Sequence, residues 1–591
     1  MDGKDKSKPW NTQHFSSKKT VSLDQTTIQI PIPMRKSLLL LLASGLLALS
    51  AAAQPRVSLS VDASRPVGEM NPLWAWFGYD EPNYTYMKDG RKLLSEIADL
   101  SPVPVYVRAH NLMTTGDGKA AFKWGSTNMY TEDAAGRPVY DWDIIDRIFD
   151  TYVDRGMRPL VEVGFMPEAL TSKGGPYSHH WQPGDNYNDI YTAWTAPPKD
   201  YGKWAELVRQ WVLHSIDRYG LDEVNTWYWE LWNEPDIAYW SGSAEEYCKL
   251  YDYTSEAILS VLPTAKVGGP ETTNPSSRNA AAFLRTFLDH VTTGTNYVTG
   301  RTGSHIDFIS FHAKGAPRIV DGHIRMNAGV QLRNIDAGCA IVASYPTLKH
   351  LPVIIGESDP EGCAACGMKT NPENGYRNGT VYSSYTAATF ARKYELQDRH
   401  GVRIEGAVTW AFEFEDQPWF NGFRDLATNG VDEPVLNVFR MFGKMAGQRV
   451  AVTGNTCSLD DLLQGSVRER DDVSAIASRS DRSVAVMVWD YHDDDLPREG
   501  GATVDLSVSG IPARDVRVTH YRIDAEHSNS YEVWKAMGEP QQPDREQYRR
   551  LEQAGQLAEY EPARQLRLRK GTFSSSFALP RQGTSLLLIE W

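Results

Sequence analysis

Cysteine is scarce in this 591-residue chain: five in all, at positions 248, 339, 363, 366 and 457. Stability therefore does not come from a dense disulfide framework. Long apolar runs are nearly absent too. The strongest, Leu38–Leu49, has about 12 residues where roughly 20 are needed to cross a bilayer. Positive charge is in deficit, with 61 Lys plus Arg against 75 Asp plus Glu and a net charge of −14. Such a surface repels phosphate backbones and anionic lipid, so neither nucleic acid nor membrane is an expected partner. Internal repeats and a glycine-rich phosphate loop are also missing, which argues against solenoids and mononucleotide-binding folds.

Aromatic residues are abundant: Trp 18, Tyr 28 and Phe 18, or 11% of the chain. They could be platforms on which sugar rings stack, or extra core. Met34-Arg35-Lys36, the apolar run and Ala51-Ala52-Ala53 make up the three parts of a secretory signal. Residues 1–53 are thus read as a leader with translation starting at Met34 and cleavage after Ala53. The mature protein is expected to be exported, to the periplasm or the medium. All five cysteines lie beyond that point, an odd number that leaves at least one thiol unpaired. Cys363-Ala-Ala-Cys366 has the spacing of a loop disulfide or of half a zinc site, but no second Cys or His pair accompanies it.

Between about residues 73 and 445, short apolar runs alternate with helical patterns. The strand candidates are Leu73–Phe77, Val103–Val107, Pro159–Phe165, Trp227–Trp232, Ala265–Gly268, Ile306–Phe311, Pro352–Ile355 and Glu405–Ala411. Clear helical periodicity covers Asp143–Arg155, Trp204–Tyr219, Glu245–Leu262 and Tyr382–Arg399. Eight strand–helix units imply an α/β fold, a (β/α)₈ barrel over residues 67–446. An open doubly wound sheet is the alternative. After Gly447 the pattern turns β-rich, at Ser483–Trp489, Ala502–Ser507, Val516–Ile523, Thr572–Leu579 and Thr584–Trp591, with an amphipathic insert at Asp544–Leu557. Residues 447–591 are read as a β-sandwich, joined by the strand Arg56–Asp62 within residues 54–66.

Barrel catalysts sit at the C-terminal ends of strands. One such end reads Trp229-Glu230-Leu231-Trp232-Asn233-Glu234-Pro235-Asp236. Another reads Val353-Ile354-Ile355-Gly356-Glu357-Ser358-Asp359, and a third carries Arg108 and His110. Glu234 and Glu357, atop strands four and seven, would face each other across the barrel. Such a pair can hydrolyse a glycoside, one as acid/base and one as nucleophile. A structural ion pair is the ordinary reading of a single such Glu. Two together, one in Asn-Glu-Pro, favour chemistry. Arg108 could keep the nucleophile ionised. The loop after strand three holds Trp181, Tyr187, Tyr191 and Trp194, read as aromatic packing or a sugar-binding wall. The adjacent His179-His180 is a poor chelating geometry, and no metal is expected.

These features resemble glycoside hydrolase family 39, which contains β-xylosidases and α-L-iduronidases, and the similarity extends over nearly the whole mature chain. The resemblance implies Glu234 as acid/base and Glu357 as nucleophile of a retaining mechanism. It implies Asn233 on the sugar 2-hydroxyl, His110 at the −1 subsite, Trp410 as its stacking floor, and Glu415-Asp416 as an acidic pair on substrate hydroxyls. Tyr521–Tyr531 is similar to a β-xylosidase segment. The chain departs from the xylosidase pattern at His312-Ala313-Lys314-Gly315. That segment is similar to the iduronidases, whose Lys helps bind the substrate carboxylate, and the resemblance implies Arg424 near the second carboxylate-binding position.

The resulting expectation is a retaining exo-glycosidase needing no cofactor, a β-xylosidase acting on xylo-oligosaccharides, with a monomer favoured. An α-L-iduronidase-like hydrolase is the alternative within the enzyme class, and a carbohydrate-binding barrel without catalysis is the alternative outside it.

Overall fold

The computed structural model describes residues 54–174, 194–363, 366–465, 467–496 and 500–591. The leader reading of residues 1–53 and the loop residues His179, His180, Trp181, Tyr187 and Tyr191 fall outside this range.

Barrel strands one to seven are Trp76–Tyr79, Tyr106–Ala109, Arg158–Val163, Tyr228–Leu231, Lys266–Thr272, Phe308–Phe311 and Pro352–Ile355. Strand eight comes in two pieces, Arg403–Ala407 and Thr409–Trp410. All pair in parallel and in chain order. Ile404 lies opposite Val353 of strand seven, and Thr409 lies opposite Phe77 of strand one. Strand eight thus brings the sheet round into a nearly closed barrel.

The barrel strands are buried on both faces, which is why they read as continuous apolar runs. Their inner floor is filled by Trp76, Leu160, Tyr228, Phe308, Ile354, Val408 and Trp410. Eight helices follow the strands: Lys88–Leu100, Asp143–Val153, Tyr201–Tyr219, Ala244–Val261, Arg278–Thr293, Ala328–Ala343, Thr380–His400 and Leu436–Phe442. Their starts are set locally. Asp200 accepts from the backbone N–H groups of Gly202 and Lys203, and Ser243 forms a capping box with Glu246. The aromatic excess belongs largely to the core. Trp74, Trp204, Trp211, Trp227, Trp229, Trp232, Trp410 and Trp489 are fully buried, and Trp194 is only 6% exposed.

The C-terminal region is one continuous nine-stranded mixed sheet. The strand Arg56–Glu69, longer than expected, pairs parallel to Ala502–Ser509 and antiparallel to Gln448–Thr453. Three further strands, Gln448–Thr453, Asp472–Arg479 and Ala558–Arg567, were not read from the sequence. The sheet folds over its own core: Val504, Leu506, Phe573 and Phe577 pack in one cluster with Val484, Val486, Val488, Leu587 and Ile589. Along Ser483–Tyr491 the alternate residues Ala485, Met487, Trp489 and Tyr491 join the barrel's core instead. A period of two therefore welds this domain to the barrel.

Candidate active site

The carboxylates end their strands for local reasons. Beyond strand four the backbone turns through left-handed conformations at Trp232 (φ 71°) and Glu234 (φ 46°). The turn is held by Trp232 N–H to Val163 O (3.2 Å), Trp232 Nε1–H to Tyr239 O (2.8 Å) and Glu234 N–H to Glu271 O (2.9 Å). Such conformations cost of order 1–3 kcal/mol in a non-glycine residue and persist where the surroundings enforce them. Across the mouth, Gly356 precedes Glu357. A Cβ there would land on the Glu271 carboxylate, so Gly-Glu leaves room for a buried acid that in turn faces His312.

Glu234 Oε1 lies 3.0 Å from His312 Nδ1, whose Nε2 lies 2.6 Å from Glu271 Oε2. An oxygen of Glu234, an oxygen of Glu357 and a nitrogen of His312 all fall within 4.8 Å of one another. Burial opposes charge on His312, but Glu357 and Glu271 outweigh it and raise its pKa to about 10. Its charged form is thus favoured, with Nδ1 hydrogen-bonded to Glu234 and Nε2 close to Glu271. Burial would likewise raise the pKa of Glu357. The Lys314 ammonium in contact with it, then His312 and His110, hold it well below the usual carboxylate range.

His110 Nε2 lies 3.0 Å from Glu357 Oε1 and 3.1 Å from Asp80 Oδ1, while its Nδ1 meets Glu162. Arg108 is fully buried. Its Nε donates to Glu230 Oε2 (2.6 Å) and its Nη2 lies 3.0 Å from Glu162 and donates to Asn233 Oδ1 (3.2 Å). Glu357 is farther, at 3.6 Å from Nη1. Arg108 thus organises a buried carboxylate group and aims Asn233, whereas Lys314 is the nearer cation to Glu357.

A cavity of about 220 Å³ opens over these groups, lined by Asp80, His110, Lys123, Asn233, Glu234, Ile237, Tyr239, Lys314, Glu357, Gly362 and Arg424. Of the expected binding residues, His110, Asn233 and Lys314 reach it, with Arg424. His312 stands behind Glu234, fully buried. Trp410 lies beneath, its ring 4.4 Å from that of His110. Glu415 lies outside the lining: its Oε1 accepts the N–H of Asp89 (2.6 Å) in the first turn of helix Lys88–Leu100. Asp416 is exposed.

Arg424 Nη2 donates to Asp80 Oδ2 (2.6 Å), with Asp359 at 3.6 Å. The Cys363–Cys366 pair is a disulfide, and Cys248, Cys339 and Cys457 are free and buried. Asp80, Lys123, Ile237, Tyr239 and Gly362 were not read as site residues, nor were the supporting Glu162, Glu230 and Glu271. The available signal was a charge inside or directly after an apolar strand.

The model for glycosyl hydrolases family 39 matches residues 57–566. The chain belongs to glycosyl hydrolase family 39. The β-xylosidase of Geobacillus stearothermophilus is 26% identical over 504 residues, spanning 82% of this chain and 86% of that one. The α-L-iduronidase of Mus musculus is 22% identical over 542 residues, 86% of this chain and 77% of that one. A solved bacterial orthologue of human α-L-iduronidase superposes with a TM-score of 0.71 at 21% identity, covering 91% of this chain and 84% of that one. The family-39 chain is thus a glycoside hydrolase acting on oligosaccharides, related to enzymes of two sugar specificities.

Proposed function

We propose that this glycosidase is a retaining, exo-acting β-xylosidase that releases xylose from non-reducing ends. The observation carrying the mechanism is the unequal setting of the two carboxylates. Glu357 is kept ionised by Lys314 beside it, and Glu234 stands at the mouth with an oxygen within 4.8 Å of one of Glu357. That closeness agrees with the roughly 5–5.5 Å carboxyl separation of retention and falls short of the 6.5–9.5 Å that admits an inverting water. Glu357 attacks the anomeric carbon while Glu234 protonates the departing oxygen. Water then enters, Glu234 takes its proton, and the glycosyl ester breaks to free Glu357. A cavity of about 220 Å³ is below the roughly 300–1,000 Å³ of sites for drug-sized ligands. It suits one terminal ring, hence exo action. The disulfide fits the oxidising compartment that the leader implies, so export belongs to this proposal.

The neutral sugar is favoured because both cations expected to bind a substrate carboxylate, Lys314 and Arg424, already have a protein acid. Lys314 contacts Glu357 and has Asp359 at 3.8 Å, and Arg424 has Asp80 and Asp359. No substrate anion is needed to offset their desolvation. The second reading, a uronic-acid glycoside of the α-L-iduronide type, is favoured by Lys314 and Arg424 both lining the cavity.

Two measurements test these readings. Glu357→Ala should abolish turnover of every aryl glycoside, whereas Glu234→Ala should spare dinitrophenyl glycosides in the first step and be rescued by azide. Azide rescue of Glu357→Ala with retained product, and of Glu234→Ala with inverted product, would reverse the roles. The kcat/KM ratio of aryl β-xyloside over aryl α-L-iduronide should exceed one. A ratio below one, with the iduronide losing on the order of 10- to 150-fold more than the xyloside in Lys314→Ala, would establish the uronate reading instead.

A further inference from the structure

Asp80 follows directly on barrel strand one and lines the cavity. Only 5% exposed, it is an acid that no expected role covers. Its position is enforced from both sides. Asn111, itself in a left-handed conformation (φ 63°), donates through Nδ2 to the backbone carbonyl of Asp80 at 3.1 Å. On the side chain, Arg424 Nη2 donates to Oδ2 at 2.6 Å, and His110 Nε2 lies 3.1 Å from Oδ1. Burial works against its charge, but Arg424, Lys123 and His110 overcome this and hold its pKa below the usual value.

An ionised carboxylate is acceptor-only, with about four lone-pair directions. Arg424 takes one. The His110 nitrogen is divided between Asp80 and Glu357, since it is also 3.0 Å from Glu357 Oε1. Acceptor capacity is therefore left over on a wall of the cavity, and an oxygen of Asp80 lies within 4.8 Å of an oxygen of the nucleophile. Any group seated over Glu357 is within reach of it. Groups that satisfy such an acceptor are O–H donors, and a carboxylate braced by a guanidinium suits the paired hydroxyls of a sugar ring. Of the acidic pair that the sequence suggested for this duty, Glu415 accepts from Asp89 N–H at a helix start and Asp416 is exposed, and neither lines the cavity.

We propose that Asp80, clamped between Arg424 and His110, is the carboxylate that binds ring hydroxyls of the terminal sugar and so sets which sugars are accepted. This rests on the exo-glycosidase reading.

The test compares kcat/KM for an aryl glycoside and its 2-, 3- and 4-deoxy analogues in the wild type, Asp80→Ala, Asp80→Asn and Glu415→Gln. At one or two positions deoxygenation should cost the wild type on the order of 10- to 150-fold. In Asp80→Ala the same deoxygenation should cost little, because the contact is already gone. Asp80→Asn, which keeps the shape, should fall between, and Glu415→Gln should match the wild type at every position. Equal losses on the parent and all deoxy sugars in both Asp80 variants would reduce Asp80 to a brace for Arg424 and His110 and overturn the proposal. So would a deoxy discrimination that vanishes in Glu415→Gln. The same series titrated by calorimetry into the Glu357→Gln protein reads the contact without turnover. A glycosidase reading that fails thus leaves the Asp80 contact separately measurable, while no Asp80-dependent hydroxyl discrimination in binding rejects it.

Discussion

At Glu357 the decisive neighbour is Lys314, whose ammonium offsets the burial of both groups. Burial alone would push the Lys314 pKa down, but Glu357 and then Asp359 keep it raised. In the proposed mechanism Glu357 must be ionised to attack, so activity should fall on the acid side as Glu357 takes a proton. Removing the ammonium leaves the carboxylate buried with less compensation, and its pKa rises. Lys314→Ala should therefore move the acid limb of the kcat/KM–pH profile upward by about 1–3 units, the usual effect of one opposite charge at close range. An unmoved limb would mean that His110 and His312 suffice without it. The residues at strand ends stood out because two acids each follow directly on an apolar strand: Glu234, Glu357, Asn233 and His110 line one cavity, and Arg108 lies buried behind Asn233. Of the acids the sequence offers to Lys314, namely Glu415, Asp416 and Asp359, Asp359 lies within salt-bridge distance at 3.8 Å. The closer contact, Glu357, was not among them and is set beside it by the pairing of strands six and seven. Asp80 escaped for a related reason, since its strand was read as ending at Phe77 and runs to Tyr79.

At the scale of elements, the eight strand–helix units follow the apolar periodicity, and the boundary shifts have local causes. Leu73 and Ala75 are spent in turn hydrogen bonds to Asn71 O and Pro72 O below the barrel, which delays strand one to Trp76. Strand eight looked like one run, Glu405–Ala411, but splits because its two ends pair with different neighbours. The strands Asp472–Arg479 and Ala558–Arg567 went unread for opposite reasons. The first is buried at nearly every position, and the second is an edge strand with hardly any buried side chain. Strand seven offers a test of how an element transmits position. A methyl group on Gly356 meets the Glu271 carboxylate, which faces His312, which in turn holds Glu234. Gly356→Ala should cost about 1–3 kcal/mol of stability by overpacking and lower kcat on the order of 100-fold by displacing Glu234, the proposed acid/base. Urea unfolding and kcat on an aryl glycoside read the two effects separately. A stability loss with unchanged kcat would show that strand seven absorbs the strain without moving His312.

For the whole molecule, the question is whether the C-terminal sheet is a separate module or part of the barrel's foundation. Helix Thr380–His400 is buried along most of its length because it lies between the two. Its Arg392 reaches the sheet, where Nη2 donates to Cys457 O (2.8 Å) and to Asp472 Oδ1 (3.3 Å), while Trp489 Nε1–H donates to Asp472 Oδ2 (2.9 Å). Further along the helix, Asp398 takes a two-pronged bond from Arg449 at 2.9 Å on each side. The first strand of the sheet, Arg56–Glu69, precedes the barrel in the chain, so the sheet cannot be completed until both ends of the barrel are in place. These ties predict one cooperative unfolding transition for residues 54–591. Asp472→Ala would leave the buried Arg392 with Glu395 (2.5 Å) and the Cys457 carbonyl but without its acid in the sheet, and the Trp489 N–H without an acceptor. The expected cost is on the order of 3 kcal/mol. Replacing both ends of the pair by apolar residues, as in Arg392→Leu with Asp472→Leu, should cost distinctly less, since no charge is then stranded. Calorimetry of the single and double variants decides the matter. If Asp472→Ala instead separates a low-temperature transition of the sheet from an unshifted transition of the barrel, the two are independent modules and the interface does not hold the barrel together.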